Sequence, residues 1–291
     1  MGIVYLSYDH EAKNPVAIKT FQDKFLTDKV SINRFMWEAE TWVRLEKHKN
    51  IVQAYYVLNI SERPYIVLEY VVGDTTYGLD LSGWIENKGL DLKTSLSLAI
   101  QFCMGMEHAE KKFKEEKGIP FVHRDIKPEN IMVTHDKTAK IGDMGLVRTF
   151  MGLGRDINVD NVKDEAIRPM QAERCGSSLI GSLCGTVQYA SPEQCACEEH
   201  IDTRSDIYSF GCVLYEMLTG ERPFKGPASV NYMAQHIKEK PVPPKKIKTN
   251  IPDVLNNLVM RCLEKESERR YQNFKELREG LCDIYLKTSG E

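Results

Sequence analysis

The 291-residue chain lacks the features of a membrane protein, a secreted protein or a zinc-stapled fold. No uninterrupted apolar run approaches the ~18–20 residues of a membrane span, and the N-terminus has no basic-then-apolar signal pattern. Thirty-nine Lys and Arg against 42 Asp and Glu leave a net charge of −3, so no global field draws the chain to nucleic acid or anionic lipid. Eight cysteines are present, but the one close pair is Cys195 and Cys197, and no C-x-x-C ligand set occurs. This spacing argues against zinc and reads as reduced thiols serving as small core residues. The expectation is a cytoplasmic protein. Hydrophobic content of 42% and charged content of 28% supply an ordinary core, in one large or two small domains.

Chemistry-bearing side chains concentrate between His123 and Gly145. Ile131, Met132 and Val133 read as one short strand and Ala139, Lys140 and Ile141 as a second, with a polar turn over residues 134–138 making a hairpin. A hairpin sets the start of its first strand beside the end of its second. Asn130 and Asp143 therefore meet, two oxygen-bearing side chains suited to a hard cation such as magnesium. Asp125 and Lys127 stand on the loop entering the hairpin. One carboxylate for a proton, one cation for a phosphate and two metal ligands form a set for phosphoryl transfer.

The run His-Arg-Asp-Ile-Lys-Pro-Glu-Asn, followed at this interval by Asp143-Met144-Gly145, resembles the catalytic loop and metal-binding segment of the eukaryotic-type (Hanks-type) protein kinases. Lys127 resembles the Ser/Thr class. Met144 departs from the family's Phe but keeps an apolar side chain. The resemblance implies an α+β, bilobal fold: a small antiparallel-sheet N-lobe with one helix (residues 1–70), a hinge at 69–74, and a larger, mainly helical C-lobe (75–287), all one kinase domain.

Other stretches fit this frame. Residues 1–9 are β-prone, and Val16-Ala17-Ile18-Lys19 is similar to the family strand whose lysine holds the ATP phosphates. A helix is predicted over 32–47 from Phe35, Ala39, Trp42 and Leu45; Glu38 falls on that stripe, and the resemblance pairs it with Lys19. Strands follow at 51–58 and 65–70. Glu69, Tyr70 and Val71 resemble the adenine-binding hinge, with Leu68 as gatekeeper, and Val4, Ala17 and Met132 would sandwich the base. Helices are predicted at 81–87 and from 92 to about 114.

The activation segment, 143–193, is longer than the family usually carries, and its middle is polar and poorly periodic. It ends in a stretch resembling a peptide-docking platform, where Thr186 would touch Asp125 and Lys127 and help select hydroxyl substrates. Ser182 occupies a position typical of activating phosphorylation, with Ser177 and Ser178 as competing sites and Arg124 as the phosphate's partner. His123, Glu193, Asp206 and Arg270 have supporting roles by the same resemblance: Asp206 binds the catalytic-loop backbone and opens a helix, and Arg270 pairs with Glu193. Residues 240–248, basic and proline-rich, read as a solvated loop. The looser late motifs resemble the bacterial-type Ser/Thr kinases.

Of the family's glycine-rich loop, Gly2-Ile3-Val4 matches the end alone, so the first strand and most of the phosphate cover precede Met1 or have been lost. The expected function is ATP- and Mg2+-dependent phosphorylation of protein serine or threonine. The expected partners are protein substrates and, for autophosphorylation, a second copy of the chain; neither nucleic acid nor membrane is expected. The competing expectation is a non-catalytic kinase-fold scaffold. A small-molecule phosphotransferase is disfavoured by the platform-like stretch 185–193.

Overall fold

A computed structural model describes residues 2–21, 29–61, 63–117, 120–143, 187–198, 200–226 and 229–289. They fall into two compact units: Met1–Gly89 with Ser97–Phe121 and Pro128–Val147, and Leu90–Leu96 with Val122–Lys127 and Arg148–Glu291. The first unit carries an antiparallel sheet, and the second is mainly helical.

In the first unit, strand β1 (Gly2–Asp9) pairs antiparallel with β2 (Asn14–Phe21). The turn between them is set by the Asp9 carboxylate, which accepts from the Glu11 and Ala12 N–H groups at 2.9 Å. Strands β3 (Ala54–Ile60) and β4 (Arg63–Glu69) complete a sheet of order β1-β2-β4-β3. Helix α1 (Lys29–Arg44) buries Phe35, Ala39 and Trp42 at helical spacing. Phe35 meets the Phe21 ring of β2 at 4.4 Å, and the Trp42 indole N–H donates to the Val52 carbonyl at 2.8 Å. Third in sequence strand order came a small shift: the strand expected at 51–58 begins at Ala54. Residues 51 and 52 instead bridge to Ile141, with the Val52 N–H donating to its carbonyl.

Helix α2 (Leu81–Glu86) is capped by Asp80, and α3 (Leu92–Lys117) buries Phe102, Met106, Ala109 and Phe113 along one stripe. Strands β5 (Ile131–Val133) and β6 (Ala139–Ile141) form the expected hairpin, in the register Ile131↔Ile141. Gly105 of α3 lies so close to Asn50 that a Cβ there would sit 2.7 Å from the Asn50 carbonyl oxygen.

The second unit is built on α5 (Thr203–Thr219), which follows the short α4 (Pro192–Cys195) and is buried over most of its length. The sequence places the start of this helix at Asp206. It begins three residues earlier, because Asp202 is the N-cap and accepts from the Arg204 N–H at 2.9 Å. Around it lie α6 (Ser229–Lys238), α7 (Pro244–Ile247), α8 (Asp253–Cys262) and α9 (Phe274–Ser289). Helix α7 corrects the reading of 240–248 as loop throughout. Gly211 lets α8 approach α5, since a Cβ there would meet the Cys262 Cβ at 2.6 Å. Cys103, Cys195, Cys212 and Cys262 are buried thiols, as expected of small core residues. Cys197 departs from that reading: outside the core, it is disulfide-bonded.

His236 of α6 is fully buried, with the Phe224 ring 4.9 Å away. Burial and then the nearby Lys265 cation push its pKa from 6.5 to about 3. Below pH 6.5 the unfolded chain takes up a proton here and the folded one does not, so stability falls as pH drops toward 3, by at most about 1.4 kcal/mol per pH unit. Urea midpoints at pH 7 and pH 5 should fall further for the wild type than for His236→Gln. Equal falls would show that the histidine carries none of this dependence.

Candidate active site

Within the first unit, the hairpin and the sheet close a cavity of about 230 Å³. Its walls include Val4, Ala17, Lys19, Leu68, Glu69, Val71, Met132, Asn130 and Asp143, so every nucleotide-side residue predicted from the sequence other than Gly2 and Glu38 lines one space. The register explains the grouping. Val4 faces Lys19 and Leu6 faces Ala17 across β1 and β2, and the strand period of two sends these pairs to one side. Gly2 lies opposite Phe21 at the start of β1. Of Glu38, the backbone belongs to α1 and the side chain lies outside the described residues.

The Gly142 N–H donates to the Asn130 carbonyl at 2.9 Å, which brings Asn130 to the residue preceding Asp143. Asp143 itself is left-handed, with φ of 48°. Such a backbone is costly for a side chain larger than glycine and is held by its surroundings. Lys19 donates directly to the Asp143 carboxylate in an ion pair. At the end of β4, the Glu69 N–H donates to the Gln53 carbonyl at 2.8 Å, and its carboxylate pairs with Lys140 at 2.9 Å. Lys140, Gln53 and these bonds are not apparent from the sequence, because the partners are 71 and 16 residues from Glu69.

The second unit carries the catalytic-loop residues. Asp206, in the first turn of α5, accepts from the His123 N–H at 2.6 Å and from the Arg124 N–H at 2.8 Å. Arg124 takes φ of 64°, and its carbonyl accepts from the Gln194 amide at 3.0 Å. The loop is thereby fixed from two helices, and Asp125 and Lys127 face one another at 3.1 Å, both partly exposed. Gln194 could have been found from its place three after Ser191, a capping-box spacing that the structure contains.

Arg270 grips Glu193 through two bonds, at 2.7 and 2.9 Å, and is itself fully buried. Burial alone would raise the Glu193 carboxyl; the Arg270 bonds and charge, with the Ser205 hydroxyl, hold it below the usual range. Thr186, Ser177, Ser178, Ser182 and Met144 lie outside the described residues.

The first unit thus holds a lysine–carboxylate pair and an asparagine in one cavity, and the second an aspartate–lysine pair on a loop anchored to a buried carboxylate, on a fold of the kinase-like class. More narrowly, the chain belongs to the protein kinase domain family, whose model matches residues 1–280. It is 35% identical over 281 residues to a probable serine/threonine-protein kinase of Clostridium perfringens, covering 95% of this chain and 35% of that protein. It is 32% identical over 286 residues to the serine/threonine-protein kinase PknB of Mycobacterium tuberculosis, covering 98% of this chain and 41% of that one. The chain thus spans well under half the length of these curated relatives. The crystal structure of the Mycobacterium tuberculosis PknI kinase domain superposes with a TM-score of 0.65 at 17% identity, over 97% of this chain and 90% of that one, a likeness of fold. Among the described residues no helix is long and apolar enough to cross a membrane.

Removing Arg270 would leave a buried carboxylate without its cation. Arg270→Leu should cost about 3–5 kcal/mol, and adding Glu193→Gln should recover part of the loss. Urea unfolding measures both; a loss below about 1 kcal/mol for the single variant would refute a stabilising role for the pair.

Proposed function

We propose that the chain transfers the γ-phosphate of ATP to serine or threonine hydroxyls of proteins. The observation that carries this reading is the gathering of Lys19, Asn130 and Asp143 in one cavity whose lining is otherwise mainly apolar. Val4, Ala17 and Met132 offer the faces for a flat base, and Glu69 and Val71 offer main-chain groups at the hinge. Lys19 supplies positive charge to the α- and β-phosphates and is oriented by Asp143.

The donor set also fits magnesium: Asn130 and Asp143 line the same cavity, and their amide and carboxylate oxygens are hard ligands of the kind this ion takes. When bound there, magnesium would neutralise phosphate charge. On the other side of the reaction, Asp125 orients the substrate hydroxyl and accepts its proton, and Lys127 balances charge on the transferring group. Asp206 and Gln194 keep the loop in position, so the chain's contribution is chiefly orientation and fixed charge. Thr186 selects the hydroxyl substrate, Glu38 orients Lys19 in the active state, and phosphorylation at Ser182, or at Ser177 or Ser178, orders the loop through Arg124. The same reading makes the protein cytoplasmic and has a second copy as one of its substrates.

The test is phosphate incorporation from labelled Mg-ATP into the chain and into a generic basic protein. Asp125→Asn should lower the rate about 10²–10⁴-fold, and Lys19→Met should lower it comparably. A wild-type chain that binds ATP and transfers nothing overturns the proposal.

A further inference from the structure

The stretch from Gln188 to Glu193 is held at both ends by one buried network in the second unit. At its front, the Gln188 carbonyl lies 3.2 Å from His236 Nε2. A carbonyl can only accept, so Nε2 carries the hydrogen. The neutral ring then has a bare Nδ1, which accepts from the Tyr208 hydroxyl at 3.0 Å. Tyr208 in turn accepts from Lys265 Nζ at 3.1 Å. Every direction in this relay is fixed by its two ends, a cation that can only donate and a carbonyl that can only accept.

Lys265 has further duties. Its ammonium donates to the His236 carbonyl at 2.7 Å and the Gln235 carbonyl at 3.3 Å, in the last turn of α6, and lies 4.5 Å over the Phe224 ring. The Gln235 carbonyl also accepts from the Glu239 N–H at 2.9 Å, and a cation suits the carbonyl end of a helix. The Lys265 carbonyl accepts from Arg270 at 2.9 Å, and Arg270 is the residue that grips Glu193. The turn from Lys265 to Arg270 therefore fastens both ends of the stretch.

We propose that His236 and Lys265 are positioning residues that set the shape of the substrate platform, and through it the affinity for the protein substrate rather than for the nucleotide. The inference rests on the kinase reading above. An apolar residue could fill the space of His236, but could not hold the main chain of the platform to Tyr208. Neither residue was singled out by the sequence.

The experiment compares the wild type with His236→Ala, His236→Gln and Lys265→Met, measuring KM for a generic basic protein and for ATP. Loss of the bond to Gln188 should raise the protein KM in His236→Ala about fivefold to tenfold with the ATP KM unchanged. His236→Gln, whose amide can still donate to Gln188, should recover most of that loss. Lys265→Met should shift the same constant in the same direction. If His236→Ala does not fold, the other two variants carry the test. An active chain whose folded variants keep the wild-type protein KM, or lose protein and ATP affinity alike, overturns this inference and leaves the kinase reading standing. A wild-type chain that transfers no phosphate overturns both.

Discussion

The Asp206 carboxylate, buried in the first turn of α5, accepts two successive backbone N–H groups, those of His123 and Arg124. A buried carboxylate is costly unless its oxygens are satisfied, and two charge-assisted bonds at 2.6 and 2.8 Å satisfy them. The requirement acts both ways. To aim consecutive N–H groups at one side chain the loop must turn sharply, and Arg124 accordingly sits at φ of 64°. That backbone costs roughly 1–2 kcal/mol for a non-glycine residue and is maintained by a helix buried over most of its length around Asp206. Asp125, the next residue, takes its position from this turn. The helix N-terminus adds its partial positive charge to the same carboxylate.

The other unit assembles its site differently, by register. Its ion pairs, Lys19 with Asp143 and Lys140 with Glu69, are partly exposed. The pairings Val4↔Lys19 and Leu6↔Ala17, and the pairing of Ala17 with Leu68 across β2 and β4, put alternate residues on one face by the pleat alone. A one-residue slip of β2 would turn Lys19 away from Asp143 and Ala17 away from the cavity. The Asp9 turn is therefore part of the site at one remove, since it sets where β2 begins to pair. Asp143 then has two demands on it: one oxygen is engaged by Lys19, and in the proposed magnesium site the carboxylate would also serve as a hard ligand beside Asn130.

Much of this was legible in the sequence because it is local. The β5–β6 hairpin follows from two apolar triplets around a polar turn, and the placing of Asn130 and Asp143 on one cavity follows from the hairpin. The stripe of α1 was equally plain, although the helix runs from Lys29 to Arg44 and not from 32 to 47. Where the reading went astray, a residue with two meanings was to blame. Pro244 looks like a breaker, but proline suits the first position of a helix, where its missing N–H is no loss, and α7 starts on it. Residues 51 and 52 look like strand, but their hydrogen bonds go to Ile141 rather than into the β3 ladder. Asp206 and Arg270 were identified by family resemblance alone, because no local pattern marks a carboxylate whose partners are 82 and 83 residues away.

The His236 relay is the least legible feature, and its chemistry explains the residue type. The position has a hydroxyl on one side and a carbonyl on the other, so the side chain must accept on one edge and donate on the opposite one. Neutral imidazole does both with a rigid, flat body. Lysine or arginine would bring donors alone and leave Tyr208, which already accepts from Lys265, without an acceptor for its hydroxyl hydrogen. A protonated histidine would have the same defect, so the network that holds Gln188 also requires His236 to stay neutral, in agreement with a pKa pushed down to about 3. The polarity of the relay, from cation to carbonyl, thus selects both the residue and its charge state.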